Sequence, residues 1–316
     1  MPVAADRIGS AWQEGHRMRT EKRYTAAVLR RYEREGRGKG TRSDYIPWHR
    51  IGRGDPSSSG RSHLQMWSGR NHELLSDVEL ATFLFITMLP NVLDAREQFP
   101  LSPASAPHEL AHYDVRACTG NWAPGTIEIA SSMGIKHHQL KDDTSSEPWR
   151  YSTDQLVLLQ DEFSKRLLAI ACKPSFSDLS KRDLQKLALE REYWTRRNVA
   201  WILITPSEYD HRVAMCLART AAWALGEVAP RSHLADAKRV ADGNQRESLE
   251  FTLRSLAEQV GTMEAAQLAF WQAVWSGDIP LDLRHGWRPH LPISYCSSEV
   301  FKSFNPVWCM RCACKS

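Results

Sequence analysis

Asp154 in YSTD and Lys173 in CKP are the two residues whose types and spacing suit work on a phosphodiester. Asp154 stands just before an apolar run, QLVLLQ (Gln155–Gln160). Lys173 follows a second run, RLLAIAC (Arg166–Cys172), immediately before Pro174. The polar DEFSK between the runs suits the turn of a β-hairpin. Strands paired that way bring Asp154 and Lys173 to the same open end. There a carboxylate can hold Mg²⁺, a hard cation that prefers oxygen ligands. Such an ion polarises a phosphate and lowers the pKa of a bound water. The lysine would orient that water or offset charge building on phosphorus. The spacing, D-x16-A-x-K, is close to the PD-(D/E)xK pattern of restriction-like nucleases, with Ala171 where that pattern has an acid. Taken alone it also describes a surface aspartate at a strand start and an edge lysine that deters aggregation.

The missing acid must come from another element. Leu74–Leu89 reads as a buried helix, and Glu79 lies three residues after Ser76 at its start. That is the spacing of a capping box, in which the glutamate closes the helix N-terminus. Cap and metal ligand are both open at this point. The surrounding elements alternate. Residues 91–101 fit a strand ending at Pro100, and residues 102–150 are polar and irregular. After the hairpin come a helix over Ser177–Arg197 and a short apolar strand, Val199–Thr205. This is an α/β layout. Beyond Pro206 the pattern is all helical, over Glu208–Glu227, Leu234–Ala241, Glu247–Val260 and Met263–Trp275. The last runs through SGDIPLDL into a turn and a short extended piece, like the end of a winged-helix unit.

At the front, residues 8–35 read as a charged helix in which Trp12, Met18, Ala26 and Leu29 are too sparse for a strong apolar stripe. GRGKGTRSDYIPW breaks it, and GRGDPSSSGRSH forms a second flexible, basic stretch. The net charge of +4 is uneven: residues 1–62 hold 14 Lys/Arg against 7 Asp/Glu. A basic head on a near-neutral body suggests contact with a polyanion; a solvated arm reads equally well. No run of 18 or more apolar residues is present, so no membrane span is expected. Nor does the start carry the apolar core of a signal peptide, which makes cytoplasmic the default expectation. The 7 cysteines are an odd number, four of them crowded into the tail as Cys296, Cys309, Cys312 and Cys314. No disulfide framework is expected. The CxxC step could supply half a zinc site with Cys296 or His290; the leading expectation is a frayed, reduced tail.

GRGKGTRSDYIPW, SSSGRSH, HELLSDVELATFL, VLDAREQFPL, YSTD, CKP and LQKLALEREYW followed by VAWILIT recur in order. Together they resemble the TnsA endonuclease family, over roughly Gly36 to Ser207. The resemblance implies a restriction-endonuclease-like catalytic domain over 36–206, a basic extension over 1–35, and an all-α, winged-helix-like domain over 207–316. It implies Glu79, Asp154 and Lys173 as catalytic residues. Glu79, Asp154 and the backbone carbonyl of Cys172 would be the ligands of Mg²⁺, for which Mn²⁺ would substitute. Glu190 would be a supporting acid. The family usually has Gln two residues before the lysine, where Ala171 stands here. The activity implied is nicking of the non-transferred 5′ strands at transposon ends in DNA transposition, by a cytoplasmic bacterial protein. The partners implied are DNA, an integrase-like transposase, TnsB, and an AAA+ ATPase regulator, TnsC. The His137–His138 pair is expected in a DNA-facing or structural loop, since adjacent histidines diverge too far to share a metal. Trp194 and Trp201 are expected in the core. Arg96 and Glu97 are expected in structural ion pairs near the site.

Overall fold

A computed structural model describes residues 24–52, 61–113, 122–141 and 146–314. Trp12, Met18, Cys118 and residues 53–60 of the second basic stretch lie outside the described residues.

The site is carried by a four-stranded mixed sheet. Its strands are β3 (Val92–Pro100), β6 (Ser152–Gln160), β7 (Lys165–Cys172) and β8 (Ala200–Ile204), hydrogen-bonded in that order. β3, β6 and β7 pair antiparallel, and β8 joins β7 in parallel. The β6–β7 hairpin closes at Gln160↔Lys165. The parallel step needs a crossover, and helix α4 (Lys181–Thr195) supplies it. Ser180 caps α4 by accepting from the Asp183 N–H, which accounts for a start three to four residues later than the sequence pattern suggests.

Helix α2 (Asp77–Thr87) is buried on nearly every side: Val78, Ala81, Phe83, Leu84, Phe85 and Ile86 are all enclosed. A helix apolar all round belongs in the middle of a protein. Here α2 lies between one sheet face (Val157, Leu159, Ile170) and the helices that follow β8, all within one apolar cluster. Those are α5 (His211–Ala224), α6 (Arg231–Gly243), α7 (Leu249–Val260), α8 (Met263–Ser276) and the short α9 (Ser298–Ser303). Buried polar bonds fasten the C-terminal region to α2. Asn305 Nδ2 donates to Phe85 O at 2.8 Å, and Trp275 Nε1 donates to Thr87 Oγ1 at 3.1 Å. The region is helical; among the described residues its extended pairings are the isolated bridges Ser248↔Pro292 and Leu281↔Tyr295. The other sheet face packs against α4 through Leu156, Leu158, Leu189, Tyr193 and Trp194.

Three stretches depart from the sequence reading. First, β1 (His63–Trp67) and β2 (Arg70–Leu74) form a hairpin between the second basic stretch and α2. Its two-residue loop, Ser68-Gly69, has φ of 49° and 83°, the paired positive values of a type I′ turn. Second, residues 102–150 are not wholly irregular. They hold α3 (Thr126–Ser132), β4 (Gln139–Lys141) and β5 (Ser146–Pro148). These elements are too short for periodicity to reveal. Third, α1 (Ala26–Arg34) is the described part of the expected charged helix and buries Ala26, Leu29 and Tyr32. Leu29 and Tyr32 join Trp48 and Leu140 in a small cluster. The stripe looked sparse because Tyr32, an aromatic with much area to bury, completes it.

The tail is not frayed. Cys312 and Ala313 are buried. Ala313 N–H donates to Leu203 O at 2.9 Å, and Leu203 N–H meets Cys312 Sγ at 3.3 Å. The outer edge of β8 offers unpaired backbone groups, and small apolar residues at the tail can approach closely enough to take them. Cys296 Sγ lies against Pro280 O and Cys309 is exposed. Among the described residues no three His, Cys, Asp or Glu side chains are grouped to hold a metal.

Candidate active site

Glu79 sits in the first turn of α2, three residues after the N-cap. Ser76 Oγ accepts from the Glu79 N–H at 3.2 Å, and the Glu79 carboxylate accepts from Leu75 N–H at 2.9 Å and from the Ser76 hydroxyl at 3.2 Å. The helix N-terminus is therefore capped reciprocally, with the carboxylate reaching the N–H of Leu75, one residue before the N-cap, where a capping box would use that of Ser76. The carboxylate oxygen that accepts from Leu75 N–H, Oε2, also accepts from Gln98 Nε2 at 3.1 Å, and the same amide nitrogen lies 3.3 Å from Asp154 Oδ1. Glu79 both caps the helix and faces Asp154 across a single amide nitrogen.

Asp154 points toward α2 because the strand alternation slips beside it. Along a regular strand, residues two apart share a face. In β6, Thr153 accepts from Trp194 Nε1 on α4 at 2.7 Å, while Leu156, three residues on, belongs to that same α4-side cluster. β3 slips in step. Arg96 lies over the Phe99 ring, 4.4 Å to its centroid, and Gln98 between them has φ 49°. Both strands shift together, so their register is kept at Glu97↔Gln155 and Phe99↔Thr153. The slip turns Gln98 and Asp154 to the α2 side. Ser152 Oγ holds Gln98 by donating to its Oε1 at 3.2 Å.

β7 supplies the third member. Two residues beyond Ile170, whose pairing with Gln155 is the last of the hairpin, Cys172 N–H donates to Asp154 Oδ2 at 2.7 Å. Lys173 Nζ reaches the same oxygen at 3.1 Å and the Cys172 carbonyl at 3.0 Å. The lysine thus has the partner that its place at the end of an apolar run demands. Ala171 is fully buried and offers no polar atom beyond its backbone.

Glu190 on α4 is buried, not a solvated charge on a helix surface. Its Oε1 accepts from Trp201 Nε1 at 3.2 Å, and it bonds the Thr153 hydroxyl. It stands behind Asp154, on the other side of the strand.

Three carboxylates are thus gathered around one lysine. Burial, followed by repulsion from Asp154, lifts Glu79 from 4.5 to about 7 against the opposing pull of Leu75 N–H, Gln98 and Lys173. Glu190 is lifted to about 7 for the same two reasons. Burial alone would lower Lys173, but Asp154 and Glu190 outweigh it and hold the ammonium charged. Burial pushes the Cys172 thiol far up, so it stays a neutral filler. Negative charge exceeds the one lysine available, which is the electrostatic condition a divalent cation relieves. The donors that face each other are two carboxylates and, beside them, a backbone carbonyl. All are hard oxygens and fit Mg²⁺ or Mn²⁺.

The structure brings Glu79, Asp154, Cys172 and Lys173 together and sets Glu190 behind them. The sequence does not single out Gln98, because Asp94, Arg96 and Glu97 in the same strand are polar as well. Arg96 and Glu97 do not pair with each other, because consecutive strand residues face opposite ways. Glu97 accepts from Arg70 at 2.6 and 2.7 Å, from His72 Nδ1 at 3.0 Å and from Glu73 N–H at 3.0 Å. Arg96 meets His112 at 2.9 Å. His137 bonds Thr126 Oγ1 and the His138 carbonyl, both at 3.0 Å. Trp194 is a core residue, whereas Trp201 is half-buried.

A family model for the TnsA-like endonuclease N-terminal domain matches residues 89–206, the span from β3 through β8. The chain is also similar to the transposon Tn7 transposition protein TnsA of Escherichia coli, 36% identical over 190 residues. That alignment covers 59% of this chain and 59% of the relative. Over these residues the chain is similar to TnsA-like endonucleases, and it spans about 59% of the length of the relative it matches.

Proposed function

We propose that this protein is a divalent-metal-dependent DNA endonuclease with a restriction-endonuclease-like catalytic domain, acting as the strand-nicking subunit of a heteromeric transposase. The observation that carries this reading is the convergence of Glu79, Asp154 and Lys173, from a helix and two strands, on the two sides of one amide nitrogen and one carboxylate. Glu79, Asp154 and the Cys172 carbonyl would hold Mg²⁺, with Mn²⁺ able to replace it. When bound, the ion supplies a water of lowered pKa and offsets charge on the scissile phosphate. Lys173, kept protonated by Asp154, stands where it can steer a water or neutralise charge building on phosphorus. Glu190 acts through Lys173 and Asp154, tuning the field around them.

The finer role follows the family: nicking of the 5′, non-transferred strands at transposon ends. The partners proposed are a TnsB-type integrase-like transposase and a TnsC-type AAA+ ATPase, the latter on the helical region after residue 206. The winged-helix reading of that region belongs to the same proposal; the extended piece bridged at Leu281↔Tyr295 would stand for a wing. Among the described residues no helix is long and apolar enough to cross a membrane, and a cytoplasmic site of action is proposed with the rest.

The test is nicking of transposon-end DNA with partners and Mg²⁺ present. Asp154→Ala and Lys173→Ala are each expected to lower it by about a hundredfold or more with circular dichroism unchanged. Normal nicking by either variant refutes the site. One observation favours a second reading: Ala171 lines the core and contributes no side-chain ligand. On that reading the chain is an inactive nuclease-fold scaffold that links transposase and regulator. Titration with Mg²⁺ separates the two, since a scaffold shows no metal-dependent gain in cleavage.

A further inference from the structure

Beside the site lies a second cleft that the hydrolytic chemistry leaves unused. It is lined by Tyr24, His138, Leu140, Trp149, Tyr151, Arg182 and Lys186, with a volume of about 390 Å³. Its walls are aromatic. Tyr24 and Trp149 meet edge to face with centroids 4.7 Å apart, and His138 approaches Trp149 at 6.1 Å. Leu140 and Tyr151 are buried beneath. Its rim is cationic. Arg182 donates to Gln185 Oε1 and Lys136 O, which occupies two of its five N–H groups. Lys186 makes one bond, to the exposed Asp183.

The cleft adjoins the site in two ways. Tyr151 and Trp149 run directly into β6, three and five residues before Asp154, which is about 10–17 Å of extended chain. Lys186 is one turn of α4, about 6 Å, before Glu190, which stands on the α4 side of β6, behind Asp154. A nucleic-acid strand rises about 3.4 Å per nucleotide in a duplex, and farther per nucleotide when stretched. A strand with its phosphate at Asp154 and Lys173 would come to this cleft within a few nucleotides by passing around the first residues of β6. An aromatic wall, an apolar floor and two cations are the parts that hold an unpaired nucleotide, base stacked and phosphate paired.

We propose that this cleft is a subsite for an unpaired nucleotide of the DNA strand flanking the scissile phosphate, with its base against Trp149 and His138 and its phosphate on Arg182 and Lys186. The proposal rests on the nuclease reading above. It is tested with the full chain carrying Asp154→Ala, so that DNA stays uncut. The probes are a labelled twelve-nucleotide oligo(dT), an abasic strand of equal length, and a duplex, each titrated by fluorescence anisotropy. Oligo(dT) is expected to bind more tightly than the abasic strand. Adding Trp149→Ala is expected to weaken oligo(dT) about fivefold or more and leave the abasic strand unchanged. Trp149→Phe, which keeps a ring, restores most of the loss. Adding Lys186→Ala, at an exposed position, weakens both strands and lowers the salt slope by about 0.7. Equal binding of oligo(dT) and the abasic strand overturns the proposal. So does parental affinity in both the Trp149→Ala and Lys186→Ala proteins, or a preference for duplex that Trp149→Ala leaves intact. The nicking assay, with Asp154 restored, separates the two readings. Failure of the nuclease reading appears as no nicking by the parent protein. Failure of the subsite leaves parental nicking in place and cancels only the Trp149 and Lys186 effects.

Discussion

Replacing Glu79 by Gln should stabilise the metal-free protein above neutral pH and remove most of the stabilisation that Mg²⁺ confers. Glu79 is lifted from 4.5 to about 7, first by burial and then by Asp154. An acid whose folded pKa lies above its unfolded value favours folding below about 4.5. That advantage is lost as pH rises through about 7. At pH 8 the ionised side chain therefore costs the folded state about 3 kcal/mol relative to pH 4. Glutamine has nearly the same shape and can still accept from Leu75 N–H, but as a neutral acceptor. The pull of that bond on the ionised carboxylate is already contained in the shift to about 7. The variant should gain about 3 kcal/mol at pH 8 and nothing at pH 4. In a chain of this size that is about 4 °C or more in Tm.

The assay is thermal melting of both proteins from pH 4 to 8, in EDTA and in Mg²⁺. In EDTA the two melting curves should diverge between about pH 4.5 and 7. In Mg²⁺ the parent should recover at pH 8 and the variant should not, since a bound cation stabilises only the state that binds it. A variant less stable than the parent by the same margin at pH 4 and pH 8 would refute the reasoning, because it would mean that Glu79 serves as a cap alone.

Other outcomes are expected away from the metal. Burial pushes the Glu97 carboxylate up, but its bonds to Arg70 and His72 win and hold it at about 2. This lowered pKa contributes about 3 kcal/mol above pH 4.5, lost as pH falls toward 2; urea melts over that range should show the decline, and a Glu97→Gln protein should lack it. Arg70→Ala leaves that charge buried with less compensation and should cost about 3–5 kcal/mol at neutral pH, measured in the same melts. Truncation before Cys312 uncovers the β8 edge at Leu203 and should cost about 2–4 kcal/mol; an unchanged urea midpoint would mean that the tail contributes nothing. Asn305→Ala removes the bond to Phe85 O and two N–H acceptances, from Val307 and Trp308. It should destabilise by about 2–3 kcal/mol, and a change below 0.5 kcal/mol would contradict the fastening seen between α2 and the C-terminal region.

How much of this was legible in the sequence follows from which interactions are local. The β6–β7 hairpin, α4 and the helices after Pro206 announce themselves through runs and periods that a short window contains. Asp154 and Lys173 could be placed at one open end because a hairpin has only two ends. Glu79 could be named, but not given its role, because a capping glutamate and a site glutamate occupy the same helix position, and in this fold one carboxylate is both. The β1–β2 hairpin had a readable Ser-Gly turn, whereas α3, β4 and β5 are each shorter than the pattern that would reveal them. Gln98 is the instructive omission. Its side chain matters because β3 and β6 slip their alternation together, and that slip is written in neither strand separately. It requires Arg96 and Phe99 on one side and Thr153 bonded to Trp194 from a helix forty-one residues downstream. Sequence patterns assume regular strands, so they fail where a strand departs from regularity. Here that departure is what turns a carboxylate out of the core and toward its partner.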